Sequence, residues 1–320
     1  MAESDCNPAA GLRRILEAQA AEFRRGLLST NTQRGYRYDW AVFERWCRRM
    51  DLDALPASVE TLSLYATDQM ASGRKVSTAA RRVAAVARAH RCRDFASPVT
   101  FEVRELFRGA RRLRIEQPRQ VRALSVADLR AISIELARDP TMRGIRDRAI
   151  LVTGFASALR SASLVALTLE DVEFVPEGIR IRVRREKQDQ EGKGRWVGLP
   201  SGRHGETCPV RCLRAWLDRR GAAPGPLFTR LDGHAGAAAI ALQPERICQI
   251  VQAAVARIGL DPRLYGSHSL RAGFITEAGE HGVGELLIAS QTGHRDMSTL
   301  RRYFRRRDLF RSNACAALGL

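Results

Sequence analysis

Residue types able to handle a phosphate ester crowd the last fifty or so positions of the chain. His268-Ser269-Leu270-Arg271 is followed by Thr292-Gly293-His294, and Tyr303 lies nine positions beyond that histidine. A guanidinium stays charged near neutrality and offers a planar fork of donors to paired oxygens. An imidazole changes protonation in the same range. A phenol carries a nucleophilic oxygen, but with a pKa of about 10 it is almost wholly protonated at neutral pH and needs help to attack. Transfer at a phosphodiester without a metal calls for cations at the phosphate, a base for the nucleophile and an acid for the leaving oxygen. A lone His-x-x-Arg is common and carries little weight, so the rest of the chain has to supply the missing parts.

Two upstream stretches do so. Ala158-Leu159-Arg160-Ser161-Ala162-Ser163-Leu164 contributes another arginine. Among 53 basic residues only Lys75, Lys187 and Lys193 are lysines. A lysine can give up a proton when its pKa falls, and an arginine cannot. Lys187 stands at the end of an expected strand, and Lys193 lies in the turn that follows.

In this order, and over most of the chain, these features resemble the tyrosine recombinase (phage integrase) family. The resemblance implies that Tyr303 attacks a DNA phosphodiester and becomes joined to the 3′ phosphate. Arg160 and Arg271 match the two arginines that hold the non-bridging oxygens. His268 takes the place of the base, and His294 that of a hydrogen-bond partner of the phosphate. Lys187 aligns with the hairpin lysine that protonates the leaving 5′ oxygen, with Lys193 as its rival. A phosphotyrosine conserves bond energy, so rejoining needs neither ATP nor metal, and no cofactor is implied. One departure is Ser163, where the family usually carries a carboxylate. It removes no reacting group, and an active enzyme is still expected. His294-Arg295-Asp296 also reads like a kinase catalytic loop, but the chain has no Asp-Phe-Gly and no glycine-rich loop.

Charge fits a nucleic-acid partner. The 320 residues carry a formal net charge of +18, and the isoelectric point is near 10.8. The excess is shared, at about +8 over residues 1–120 and about +10 over the remainder, so both halves could face phosphates. No apolar run approaches a membrane span, and the N-terminus lacks a signal-peptide core. A cytoplasmic location, on the nucleoid when DNA is bound, is the expectation. Seven cysteines, an odd number, disfavour a disulfide framework. His204, Cys208 and Cys212 recur every four residues. They lack a paired CxxC and an obvious fourth ligand, so packing is favoured over zinc and no metal site is expected.

The expected fold is mainly α with a small antiparallel β-sheet, in two domains. Residues 1–28 read as an N-terminal tail. Residues 29–117 read as a DNA-binding domain of four helices. Tyr36, Trp40, Phe43 and Cys47 mark one face of the first helix. Ser58, Ser77 and Thr100 stand at the starts of the others. Thr32 to Cys47 resembles the opening helix of the recombinases' core-binding (SAM-like) domain, and the helix at Ser77 resembles the one that family sets against DNA. Thr78, Arg81, Arg82 and Arg34 are the candidate DNA contacts, although a solvated basic face would equally explain Arg81 and Arg82. His90 reads as a core residue rather than a ligand. Residues 118–124 read as a linker, 125–307 as an α+β catalytic domain and 308–320 as a C-terminal tail. Ser125 and Asp128 form an approximate capping box. Ile145 to Leu167 reads as two helices, followed by strands at Val172 to Val175, Ile179 to Arg184 and Arg195 to Leu199, and the remainder as largely helical. Trp196 is assigned to packing.

Double-stranded DNA is the expected partner, with a homodimer on paired half-sites and a homotetramer in synapsis. The absence of an arm-binding segment before residue 30 points to a simple two-domain enzyme. Two alternatives remain open on sequence: a type IB topoisomerase that relaxes DNA, and a catalytically weak DNA-binding protein that keeps the fold.

Overall fold

The computed structural model describes residues 12–14, 16–20, 28, 30–114, 121–184, 194–232 and 236–301. The chain divides into two compact units, Met1–Pro118 and Arg119–Leu320.

The first unit holds four helices: α1 (Thr30–Met50), α2 (Val59–Ala71), α3 (Val76–Arg91) and α4 (Phe101–Leu113). Of the apolar face expected on α1, Phe43 and Cys47 lie in the core and Trp40 packs against it, while Tyr36 does not join; with Trp46 they meet Leu62, Tyr65, Val83, Val86, Val103 and Phe107. Tyr65 meets Phe43 and Trp46 edge to face, with ring centroids 4.9 and 5.2 Å away, the arrangement the ring quadrupoles favour. Ser58 caps α2 by accepting from the Thr61 amide. His90 is fully buried. Its Nε2 accepts from the Ala57 amide at 2.8 Å and its Nδ1 donates to the Val86 carbonyl at 2.9 Å, so both ring nitrogens are spent on the core. The N-cap of α3 is Lys75, two residues before the expected Ser77, because the amides of Thr78 and Ala79 already bond to the Lys75 carbonyl.

One of the candidate DNA contacts is buried. Arg82 is only 6% exposed. Its guanidinium donates to Gln69 and lies 3.7 Å from the fully buried Asp39. A charge in the core is tolerated when paired and hydrogen-bonded, and Asp39 on α1 is the partner that sequence periodicity did not show. Arg82 therefore ties α3 to α1 and α2. Arg81 also pairs with Asp39 but keeps half of its side chain exposed. Thr78 is half-buried and Arg34 exposed.

In the second unit Ser125 and Asp128 form a full capping box at the start of α5 (Val126–Ala137). α6 (Met142–Ser157) and the short α7 (Ser161–Val165) follow, then the antiparallel sheet of β1 (Val172–Val175), β2 (Gly178–Val183) and β3 (Arg195–Pro200), in that order. Ile179, Ile181 and Val183 face the core while Arg180, Arg182 and Arg184 face out, as a period of two requires. Trp196 pairs with Arg182 across the strands and is 59% exposed. Its neighbours Val197 and Leu199 supply the packing assigned to it, because alternation sends position 196 to the outer face.

Next come α8 (Pro209–Arg220), the hairpin β4 (Thr229–Asp232) and β5 (Gly236–Ala241), α9 (Pro244–Arg257), α10 (His268–Glu280) and α11 (Glu285–Thr292). The hairpin interrupts a stretch read as largely helical. Asp232-Gly233 is a turn signal, but a strand built on Ala237 to Ala239 has no β-branched residue until Ile240. No helix among the described residues is long and apolar enough to cross a membrane.

Residues 121–124 belong to this second unit instead of the linker. The amides of Arg122 and Leu124 bond to the carbonyls of Leu264 and Ser269, and Leu124 is fully buried. The approach is so close that a Cβ on Gly273 would meet the Leu124 carbonyl oxygen at 2.0 Å and the Phe155 ring at 2.8 Å. Gly273→Ala is expected to destabilise the unit by about 3 kcal/mol through overpacking against backbone, lowering its melting temperature by roughly 6–12 °C. An unchanged melting curve would show that the segment does not press on α10.

Candidate active site

Arg271, on the first turn of α10, organises the site. It is 1% exposed, and its Nη1 donates to two backbone carbonyls, Ala158 and Thr292, each at 2.7 Å. Both acceptors terminate helices. Ala158 caps α6 in the left-handed conformation at φ 50°, and Thr292 is the last residue of α11. Helix C-termini present unpaired carbonyls and a partial negative charge, so the two ends together form a socket for a guanidinium. α6 packs closely on α10 and α7: a Cβ on Gly154 would meet Leu270 and Leu164 at 3.0 and 3.1 Å.

The Thr292-Gly293-His294 motif has a local explanation. Gly293 takes φ 68°, a region glycine enters without cost. The reversal lets the amides of Gly293 and His294 both bond back to the Ala289 carbonyl, at 2.7 and 3.1 Å. It also brings the His294 ring to Arg271, whose Nη2 lies 3.0 Å from Nε2 and 3.3 Å from Nδ1. Thr292 Oγ1 lies 2.7 Å from His294 Nδ1.

Electrostatically this is a cationic pocket that keeps its imidazoles neutral. Burial pushes the His294 pKa down to about 4, helped by the positive charges of Arg271 and Arg160, by His268 and by Arg195. His268, the first residue of α10, is lowered by desolvation and then by Arg271 and Arg160, although its ring opens to solvent. A neutral His268 is competent to accept a proton. Arg160 stands at the N-cap of α7, and Ser163 is buried three residues on.

The structure thus brings together Arg160, His268, Arg271 and His294. Lys187, Lys193, His234, Tyr303 and the tail 308–320 lie outside the described residues. The chain is described as far as Arg301, in a helical turn over residues 297–301. That turn is anchored by Leu300, which packs with Ile275, Ile288 and Ala289. Arg195 was missed from sequence. It donates from the start of β3 to the Gln291 carbonyl at 3.0 Å, and its position beside an expected turn gave no sign of this. The Thr292 hydroxyl was missed as well, although the residue lay inside the motif.

Cys208 and Cys212 act as packing groups. Both are buried. Cys208 Sγ accepts from the Gly202 amide, and Cys212 donates to the Glu206 carbonyl. Among the described residues no group of three or more His, Cys, Asp or Glu could hold a metal ion.

A family model described as the phage integrase family matches residues 123–309. The chain belongs to the phage integrase family. That match spans Arg271 and the three residues gathered around it, as well as Lys187 and Tyr303. An integrase/recombinase xerD homolog of Selenomonas ruminantium is 32% identical over 287 residues, covering 89% of this chain and 84% of that protein. Among solved structures, the Tn1549 transposon integrase in complex with transposon right end DNA has a TM-score of 0.60 at 16% identity, covering 91% of this chain and 97% of that one. A lambda integrase dimer bound to a COC′ core site has a TM-score of 0.59 at 15% identity, covering 90% and 93%. These likenesses establish a shared integrase fold: mainly α, with a small antiparallel sheet.

Proposed function

We propose that Arg160, Lys187, His268, Arg271, His294 and Tyr303 form the reacting set of this integrase. The chain is a site-specific tyrosine recombinase that acts on double-stranded DNA through a phosphotyrosyl intermediate. The observation that carries the site is the guanidinium of Arg271 fixed between two helix ends beside neutral His294. In the proposed division of labour, Arg160 and Arg271 neutralise the scissile phosphate, and charge-assisted bonds tighten as the pentacoordinate transition state gains charge. His268 takes the Tyr303 proton, and Lys187 delivers one to the leaving 5′ oxygen. Thr78, Arg81 and Arg34 on the first unit contact the backbone of the same duplex.

We further propose a dimer on paired half-sites and a tetramer in synapsis, in the cytoplasm and on the nucleoid when DNA is bound. The dimeric lambda integrase complex and the basic charge of both halves of the chain support this. A 32% identical relative described as an integrase/recombinase, matched over 89% of this chain, favours recombination over topoisomerase-like relaxation and over binding alone.

The test is trapping on nicked duplexes drawn from DNA flanking the gene and from a random library, in EDTA and without ATP. A denaturing gel should show a covalent protein–DNA band, and peptide mapping should place the DNA on Tyr303. Duplex binding with no band on any bound substrate would sink the reading.

A further inference from the structure

Thr292 is fully buried at the end of α11, and its single hydroxyl proton has three claimants. Oγ1 lies 2.6 Å from the Ile288 carbonyl oxygen, 3.4 Å from that of Ala289 and 2.7 Å from His294 Nδ1. The carbonyls can only accept, whereas an imidazole nitrogen can do either. If the proton went to Nδ1, two oxygens would face each other at 2.6 Å with no hydrogen between them. The hydroxyl therefore donates to Ile288, and Nδ1 must carry a hydrogen and donate to Oγ1. A neutral ring then leaves Nε2 bare. Arg271 Nη2 is almost equidistant from the two ring nitrogens, at 3.0 and 3.3 Å, so it bears on the bridge between them and is not aligned with the Nε2 lone pair.

A bare nitrogen has nothing to offer a phosphate, whose oxygens only accept. We propose that Thr292 is a positioning residue that locks His294 in the Nδ1–H tautomer, so that His294 can serve the scissile phosphate only after its Nε2 has taken up a proton from solvent. The groups that act on the ring are Arg271 on α10, Arg160 at the start of α7, His268 and Arg195. Without DNA their field disfavours a charged imidazole. An incoming phosphate monoanion cancels part of that field and favours the charged form, so DNA engagement and proton uptake are coupled. The lock stands on the protein alone, and its consequence for cleavage rests on the recombinase reading.

The full-length chain labelled with 15N-histidine separates these two parts. Two-bond 1H–15N spectra report the tautomer of each of its six histidines, and the resonances lost in His294→Gln assign the ring. Wild type and Thr292→Ser should show a neutral ring with hydrogen on Nδ1. Thr292→Val keeps the shape and lacks the hydroxyl, and it should move the hydrogen to Nε2. A wild-type ring protonated on Nε2 overturns the lock. On adding uncleaved nicked duplex to the Tyr303→Phe chain, the His294 ring should become doubly protonated at pH 6.5, and a ring that stays neutral overturns the coupling.

In single-turnover cleavage Thr292→Val should outpace wild type at high pH, because its neutral ring already carries hydrogen on Nε2 and needs no proton from solvent. It should also lose the fall in rate that wild type and Thr292→Ser show as pH rises. A Thr292→Val rate and pH profile equal to wild type overturns the catalytic role. A confirmed lock with no covalent adduct from any chain overturns the recombinase reading and with it the coupling to cleavage.

Discussion

Arg271→Lys is expected to bind duplex DNA almost as tightly as wild type and to cleave it roughly 10³- to 10⁵-fold more slowly, the range seen when a transition-state arginine is lost. Binding survives because it is spread over a chain with a net charge of +18, and one retained cation changes little. Cleavage does not survive, because the guanidinium has two simultaneous tasks. Its Nη1 satisfies the Ala158 and Thr292 carbonyls, and its Nη2 edge is held beside His294. An ammonium has no planar fork, so a lysine that kept the carbonyls could not also present paired donors to phosphate oxygens. Lysine is a cleaner test than alanine, which would leave two buried carbonyls unsatisfied and confuse lost chemistry with lost folding. Gel shifts paired with single-turnover cleavage of a nicked duplex measure both quantities. Cleavage within tenfold of wild type would remove Arg271 from the reaction.

Tyr303→Phe should abolish the covalent adduct while leaving duplex affinity and melting temperature unchanged. The substitution removes one oxygen and no charge. The structure narrows the choice of nucleophile. The chain has five tyrosines, and only Tyr265 and Tyr303 lie in the second unit with Arg271 and His294. Tyr265 is 2% exposed, and desolvation raises its pKa, so its phenol is both inaccessible and harder to ionise. Burial and the neighbouring arginines favour a neutral His268, which in the proposed mechanism accepts the proton that Tyr303 must lose. A persisting adduct on the phenylalanine chain would mean that another group attacks, and peptide mapping of the linked residue would identify it.

Much of this molecule was legible in local pattern. The α1 face from Trp40 to Cys47, the Ser125 capping box, the alternation of β2 and the turn at Gly293 each depend on residues only a few positions apart. Such features are set by helical and strand periods and by which residues tolerate a positive φ. The hairpin at Thr229 to Ala241 escaped notice because an alanine run carries no β signature, and its strand exists through pairing.

The sequence by itself determined the family and the order of the candidate residues, because each motif is a short run of side chains at fixed spacing. Only the tertiary structure decided which of the many arginines do what. Arg82 and Arg81 are adjacent on one helix, yet one is buried against Asp39 and Gln69 and the other stays half open. Arg271 meets a carbonyl 113 residues away in the chain. A charged side chain is only as useful as the desolvation and partners its site imposes, and those are set by packing between elements that no local pattern encodes.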